Sequence, residues 1–273
     1  MFLQKPSGCV AGDEALARAW EEAREAFEAA HDIAEFSEAL EGLGNAAWWL
    51  DLGNLVFETR ERAYRLFLAR EERRASAPVV VWLAWDYWAF RGESAVANGY
   101  LQRARHLLQG EPDCPERAWL ELREASLSIL KDGDPERAHT LATEGVRMTQ
   151  QAGNVDLEML GRAVQGLALV ASGAVSEGMG HLDKVNFAII SGELNDWVVM
   201  GLSCCYMIAA CHWVRNYERA VQWCTRFADS KSAPKRLLLV RLTGYRLTNS
   251  PKRSSPFGRI DPLMHHQSSG GRM

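Results

Sequence analysis

The strongest candidates for reactive side chains lie in one apolar stretch of this 273-residue chain. Cys204, Cys205 and Cys211 precede His212, and a cysteine beside an imidazole is the pattern of an activated thiol nucleophile. Neighbouring positions on a helix point about 100° apart, so Cys211 and His212 are not expected to face each other. We therefore expect buried cysteines that serve packing, and we expect the protein not to be an enzyme.

Sequence patterns of other catalytic and cofactor sites are missing from the chain. It has no H-E-x-x-H, no G-x-S-x-G, no phosphate-binding G-x-x-x-x-G-K-[ST] and no G-x-G-x-x-G after a strand. The acidic run Glu21, Glu22, Glu25 and Glu28 is more typical of a solvent-facing helix than of a catalytic carboxylate pair. We expect neither a metal site nor a cofactor.

Aromatic and charged side chains at one set of helical positions form the best candidate binding site. In "WLAWDYWAF", Trp82 and Asp86 are four residues apart and share one face of a helix, next to the face of Trp85 and Trp88. In a stack of two-helix units that face lines a concave groove. With the equivalent positions elsewhere, the candidate set is Glu41, Asn45, Trp48, Trp82, Asp86, Arg123 and His212.

A protein partner or a small effector could lie along this row. Trp48 and Trp82 would anchor it, and Asp86 and Arg123 would recognise its charge. The alternative interpretation is that the tryptophans only fill the core or its edge.

The elements that would position these residues repeat about every 40 residues. A tight turn recurs in steps of 41, 41, 40 and 42 residues, at Asp51, Gly92, Gly133, Gly173 and Arg215. Small or apolar residues recur five positions after the turn, at Val56, Ala97, Ala138, Gly178 and Ala220. They recur again twelve positions after it, at Ala63, Ala104, Gly145, Val185 and Phe227. A period of this length predicts stacked helical units.

Each unit has the pattern of two antiparallel helices. Gly133 tolerates a positive φ, and Asp134-Pro135 is a favourable start for the second helix. Ala138, Ala142 and Gly145 leave one face of that helix nearly bare, so neighbouring helices can approach closely. One pair cannot bury its apolar face alone, so the units must stack. We predict an all-α, right-handed solenoid of about five two-helix repeats in residues 12–229.

The pattern resembles the tetratricopeptide repeat, and Ala97, Leu101 and Ala104 are among the best matches to its second helix. The period departs from the usual length of about 34 residues. Arg162 and Cys204 also stand where an aromatic residue or leucine is usual. Longer helical repeats such as HEAT therefore remain the alternative on period alone.

Several longer strings carry a closer resemblance, over roughly residues 12–228. The strings "LEGLGNAAWWL", "ETRERAYRLF" and "VQGLALVASGAVSEGMGHLD" are similar to the repeat region of actinobacterial regulators of the LuxR type. In that family such a solenoid often accompanies an ATPase module, a C-terminal helix-turn-helix, or both, and neither pattern occurs here. The resemblance implies a protein-interaction or effector-sensing part of a transcriptional regulator without its DNA-binding output domain. A free-standing scaffold for protein assembly is the alternative.

Residues 230–273 differ from the rest in charge. They carry nine of the 31 Lys and Arg but one of the 35 Asp and Glu, so residues 1–229 keep 22 basic against 34 acidic side chains. We expect a basic, disordered tail. One interpretation is a truncated or frame-shifted end without a role of its own. The other is a flexible arm that binds nucleic acid through phosphate contacts.

The cellular setting follows from composition. The chain has no secretory signal pattern and no apolar run long enough for a membrane span, and its six cysteines form no C-x-x-C pair. We expect a cytoplasmic protein that does not bind membranes. The pattern leaves self-association open.

Overall fold

Helices are the only regular elements in the part of the chain that the structure describes. A computed structural model describes residues 21–22, 24–26 and 37–229, and the first two of these stretches are also helical. The predicted basic tail, residues 230–273, lies outside the described residues. The ten helices between Ser37 and Asp229 are α1 (Ser37–Trp49), α2 (Gly53–Ala69), α3 (Arg73–Arg91), α4 (Ser94–Leu107), α5 (Pro115–Leu130), α6 (Pro135–Ala152), α7 (Val155–Ala171), α8 (Val175–Ser191), α9 (Trp197–Trp213) and α10 (Tyr217–Asp229).

The five predicted turns are confirmed. Asp51, Gly92, Gly133, Gly173 and Arg215 join α1 to α2, α3 to α4, α5 to α6, α7 to α8 and α9 to α10, and each has a positive φ between 55° and 95°. Asp51 and Arg215 adopt this conformation although they carry a Cβ, which the left-handed region normally disfavours. The Asp134 side chain accepts a hydrogen bond from the backbone N–H of Arg137, 2.9 Å away, at the start of α6. Pro135 is the first residue of that helix.

Helix packing follows the order of the chain. Each helix from α1 to α9 packs against the next one, as short connections require. In addition, α3 packs on α5, α5 on α7, α7 on α9, and α8 on α10. The fold is therefore an all-α array of sequentially packed helices, as a helical repeat requires.

The bare faces of the second helices are contact surfaces. A Cβ added to Gly178 in α8 would lie 2.5 Å from the carbonyl oxygen of Gly166 in α7, so these two backbones touch. A Cβ on Gly145 would lie 2.5 Å from Cδ2 of Leu122. Ala138 and Ala142 are completely buried. Small residues at these positions thus let the helices approach more closely than larger side chains would allow.

No helix in the described part of the chain combines the length and the apolar character needed to cross a bilayer.

Candidate functional site

A row of tryptophans runs across α1, α3 and α5. The ring centroids of Trp48 and Trp82 are 6.3 Å apart, and those of Trp82 and Trp119 are 5.5 Å apart. Trp48 and Trp82 are partly exposed, whereas Trp119 is buried. These rings cover a group of charged side chains that lies beneath them.

Asp86 and Arg60 form the first part of this buried group. Arg60 Nε lies 2.9 Å from Asp86 Oδ2, which is an ion-pair distance, although the angle is poor for a hydrogen bond. Arg60 Nη2 donates to Asn45 Oδ1 at 3.2 Å, and its guanidinium stacks 4.3 Å from the centre of the Trp82 ring. Asp86 is 0% exposed and Arg60 is 2% exposed. An ion pair this deep is costly to desolvate, so burial must be offset by close partners.

Arg123 forms the second part and connects α5 to α9. Its guanidinium carbon lies 3.9 Å from the centre of the Trp85 ring, and Nη1 donates to the Tyr206 hydroxyl at 3.0 Å. Ser126 Oγ donates to the Leu122 carbonyl, so the Tyr206 hydroxyl is the donor in its own 2.8 Å contact with Ser126. Arg123 is 0% exposed. We call Arg60, Asp86, Arg123 and Tyr206 the buried polar cluster.

Burial dominates the electrostatics of the buried polar cluster. It raises the pKa of Asp86 to about 6, against the opposing effect of Arg60, Arg123 and Trp48. Burial also lowers the pKa of Arg60 and of Arg123, although arginine remains protonated in proteins. The pKa of Tyr206 is raised for the same reason, so its hydroxyl stays neutral. At neutral pH the four side chains carry two positive charges and one negative charge.

The structure brings six of the seven predicted site residues into one region. Asn45, Trp48 and Trp82 surround the buried polar cluster, and Glu41 is close enough to raise the pKa of Arg60. Asp86 and Arg123, however, are fully buried and face the interior instead of an open groove. His212 lies in the last turn of α9, where its Nδ1 is 3.4 Å from the Tyr217 hydroxyl.

Sequence reasoning missed Arg60 and Tyr206. Arg60 lies between the buried Val56 and Ala63 on one stripe of α2, and an arginine in an apolar stripe signals a buried counter-ion. Tyr206 lies in the apolar run "CCYMIAAC", where a hydroxyl requires a polar partner. Neither signal identifies the partner, because Arg123 and Tyr206 are 83 residues apart.

A second surface, which sequence reasoning also missed, lies between α7, α8 and α10. This outer groove has a volume of about 1060 Å³, and its lining includes Met159, Phe187 and Trp223. Phe187 is 60% exposed, which is unusual for a phenylalanine. Asp183 of α8 connects this helix to α10, because its carboxylate accepts a hydrogen bond from Trp223 Nε1 at 2.8 Å and forms an ion pair with Arg219 at 3.1 Å.

Cys204 and Cys211, in the cysteine-rich part of α9, are not activated thiols. Cys204 and Cys211 are buried, and their sulfurs lie 3.7 Å from Asn186 Oδ1 and from Met207 Sδ. Burial raises the pKa of the Cys204 thiol well above its usual value, and that of Cys211 to about 11. Both therefore stay protonated at neutral pH. Among the residues that the structure describes, no group of three His, Cys, Asp or Glu could hold a metal ion.

The sequence matches no model of a known protein family, and no curated protein matches it significantly.

Proposed function

We propose that this chain is a non-enzymatic, effector-sensing helical-repeat module, a right-handed solenoid of about five tetratricopeptide-like units. Five turns at a period of about 40 residues and the contacts between alternate helices support the repeat architecture. The similarity to LuxR-type regulators suggests that the module belongs to a transcriptional regulator. We propose the cytoplasm as its compartment.

The observation that carries the proposal is the buried polar cluster. A row of aromatic and charged residues on an open concave surface would suit a peptide. Here Asp86 and Arg123 are completely buried, and Arg123 of α5 contacts Tyr206 of α9. The interior is therefore closed to a peptide, and a small effector would reach it at the partly exposed edge formed by Trp48 and Trp82. The geometry favours an effector over a protein partner at this site.

Sensing would act through the curvature of the array. Trp49 of α1 and Trp197 of α9 approach to 6.5 Å, so helices far apart in the chain lie close together in space. The cluster itself joins α2, α3, α5 and α9. A ligand that contacts several of these helices would change their spacing, and such small shifts add up along a repeat array.

A thermal-shift screen of small metabolites with the full chain tests this function. An effector should raise the melting temperature of the wild type but not of Trp82→Ala, because Trp82 lies against both Arg60 and Arg123. Phe187→Ala, in the outer groove, is the matched control and should keep the response. Small-angle scattering should show a changed radius of gyration on binding. Equal shifts in wild type and Trp82→Ala, or no shift with any compound, would show the proposal to be wrong.

The outer groove favours a second candidate function, a free-standing scaffold for protein assembly. Its exposed Phe187 and the neighbouring Trp223 would contact a partner protein. In that case Phe187→Ala would abolish partner binding while Trp82→Ala would not.

Nucleic-acid binding by residues 230–273 stays a prediction about residues outside the described part. It requires strong salt dependence of DNA binding that disappears when these residues are deleted.

A further inference from the structure

The outer groove between α7, α8 and α10 is open to solvent, whereas the interior around Arg123 is closed. The volume of the groove is about 1060 Å³. Pockets for small molecules typically have about 300–1,000 Å³. The lining side chains Lys184, Gln222 and Arg226 are exposed, and the Phe187 ring is 60% exposed. A partner protein can therefore reach this surface directly.

The charge of the groove is opposite to that of the chain around it. The lining contains more basic than acidic side chains, namely Arg162, Lys184, Arg219 and Arg226 against Asp183 and Glu193. Residues 1–229 as a whole carry 22 basic against 34 acidic side chains. A basic surface on an acidic body attracts an acidic partner and orients it toward that surface.

Two of the four basic side chains are available to a partner. Arg162 and Arg219 each pair with a carboxylate of this chain, at 2.6 Å and 3.1 Å. Lys184 and Arg226 have no ion-pair partner among the residues that the structure describes, and both side chains are exposed. A carboxylate of a docked protein can therefore pair with either one without breaking an ion pair of this chain.

Each of these two cations shares a helix face with an aromatic ring. Lys184 and Phe187 are three residues apart on α8, and Trp223 and Arg226 are three residues apart on α10. Residues at this spacing lie on one face of a helix, and all four of these side chains line the groove. The groove thus presents two aromatic rings, each beside an exposed cation.

An amphipathic helix with acidic flanks matches this arrangement. Its apolar stripe would cover Phe187 and Trp223, and its Asp or Glu residues would reach Lys184 and Arg226. Residues 230–273 of this chain are a poorer match, because they carry nine basic side chains against one acidic side chain and the same two cations repel them. Charge therefore favours a separate, acidic partner.

We propose that the outer groove binds an amphipathic helix of a partner protein, with large apolar residues on one face and Asp or Glu beside them. The apolar face packs on Phe187 and Trp223, and the carboxylates pair with Lys184 and Arg226. This docking function rests on the second candidate function, a scaffold for protein assembly, and is separate from effector sensing in the interior.

Fluorescence anisotropy of a labelled peptide, titrated with the full chain, tests the docking site. The probe is a synthetic peptide of about 18 residues, which is long enough to form a helix. It carries leucine at positions i, i+3, i+4 and i+7 and glutamate beside them. A second peptide has lysine in place of each glutamate. The glutamate peptide should bind about tenfold more tightly than the lysine peptide, and its affinity should fall as salt is added.

Charge reversal in the groove should reverse this preference. The double variant Lys184→Glu/Arg226→Glu should bind the glutamate peptide about tenfold more weakly and the lysine peptide more tightly. The control Arg65→Glu/Arg73→Glu makes the same charge change at exposed positions of α2 and α3, outside the groove, and should keep the wild-type preference. Phe187→Ala should weaken both peptides, because it removes an apolar contact that both would make.

Glutamate-peptide binding that is unchanged in the groove double variant, or no binding of either peptide, would overturn the docking site. Equal binding of the two peptides that is lost in Phe187→Ala would overturn the acidic partner and leave the scaffold function standing. Trp82→Ala should bind the glutamate peptide like the wild type, so the result is independent of effector sensing.

Other occupants of the groove give results of their own. Peptide binding that appears only after deletion of residues 230–273 would show that this segment of the chain occupies the groove. Self-association of the wild type that is lost in Phe187→Ala, measured by light scattering, would show that a second copy does. Either result would overturn the separate partner.

Discussion

Two glycines of α8, two residues apart, lie in opposite surroundings and give a direct test of the close helix contact. A Cβ on Gly178 would lie 2.5 Å from the carbonyl oxygen of Gly166 and 2.8 Å from the backbone nitrogen of Val170. A Cβ on Gly180 would meet nothing within 4 Å. Both positions are inside the helix, so alanine gains the same helix propensity at each, about 1 kcal/mol.

The expected magnitudes follow from this difference. Gly180→Ala should stabilise the protein by about 1 kcal/mol, because only the propensity term changes. At Gly178 the obstructing atoms belong to the backbone of α7 and cannot rotate away, so overpacking should cost about 3 kcal/mol. Gly178→Ala should then be destabilised by about 2 kcal/mol after the propensity gain. The two variants should differ by about 3 kcal/mol, or about 6–12 °C in melting temperature for an array of this size.

Thermal unfolding followed by far-ultraviolet circular dichroism, which reports helix content, measures the difference in melting temperature. Gly99→Ala in α4 is a further control, since a Cβ there also meets nothing within 4 Å. Equal melting temperatures for Gly178→Ala and Gly180→Ala would refute the backbone contact between α7 and α8. A Gly178→Ala variant more stable than wild type would do so even more directly.

Three further predictions concern the interior. Tyr206→Phe removes the hydroxyl that accepts from Arg123 and should lower the free energy of unfolding by about 1–3 kcal/mol in urea, while Tyr217→Phe, on an exposed ring, should change it little. The Cys204 thiol, buried and with a raised pKa, should react with a thiol reagent far more slowly in the native protein than in urea. Asp86 has a folded pKa raised to about 6, so its contribution favours folding at low pH and declines as the pH rises through about 6. The stability of wild type relative to Asp86→Asn, measured by urea unfolding, should therefore fall between about pH 4 and pH 7, and a rise would contradict the raised pKa.

The turns could be predicted because they depend on local chemistry repeated at a fixed period. Gly133 and the helix start Asp134-Pro135 identify one turn. Counting along the chain by the period then predicts equivalent turns at Asp51 and Arg215, although neither position is a glycine. A single copy of those outer segments would not have indicated a positive φ, since residues with a Cβ rarely adopt one. The repeat thus carried information that the individual residues lacked.

The closed interior could not be predicted in this way. Periodicity places Asp86 and Arg123 on the same face of equivalent helices. In the structure the two are close enough for Asp86 to raise the pKa of Arg123. Whether that face is open or buried depends on the curvature of the array, which accumulates from small packing angles at every helix contact. Arg123 and Tyr206 are 83 residues apart in the chain, so their contact depends on how α5 and α9 come together in space. No local pattern in either segment specifies it.

The buried charges also bear on why such an array would hold one curvature. Apolar side chains pack in many arrangements of similar energy, so an aromatic interior alone would tolerate several spacings of α3, α5 and α9. Arg123 narrows that choice, because its Nη1 must reach the Tyr206 hydroxyl at the same time as its guanidinium stacks on Trp85. Breaking either contact leaves a charge buried without compensation, at a cost well above that of a shifted apolar contact.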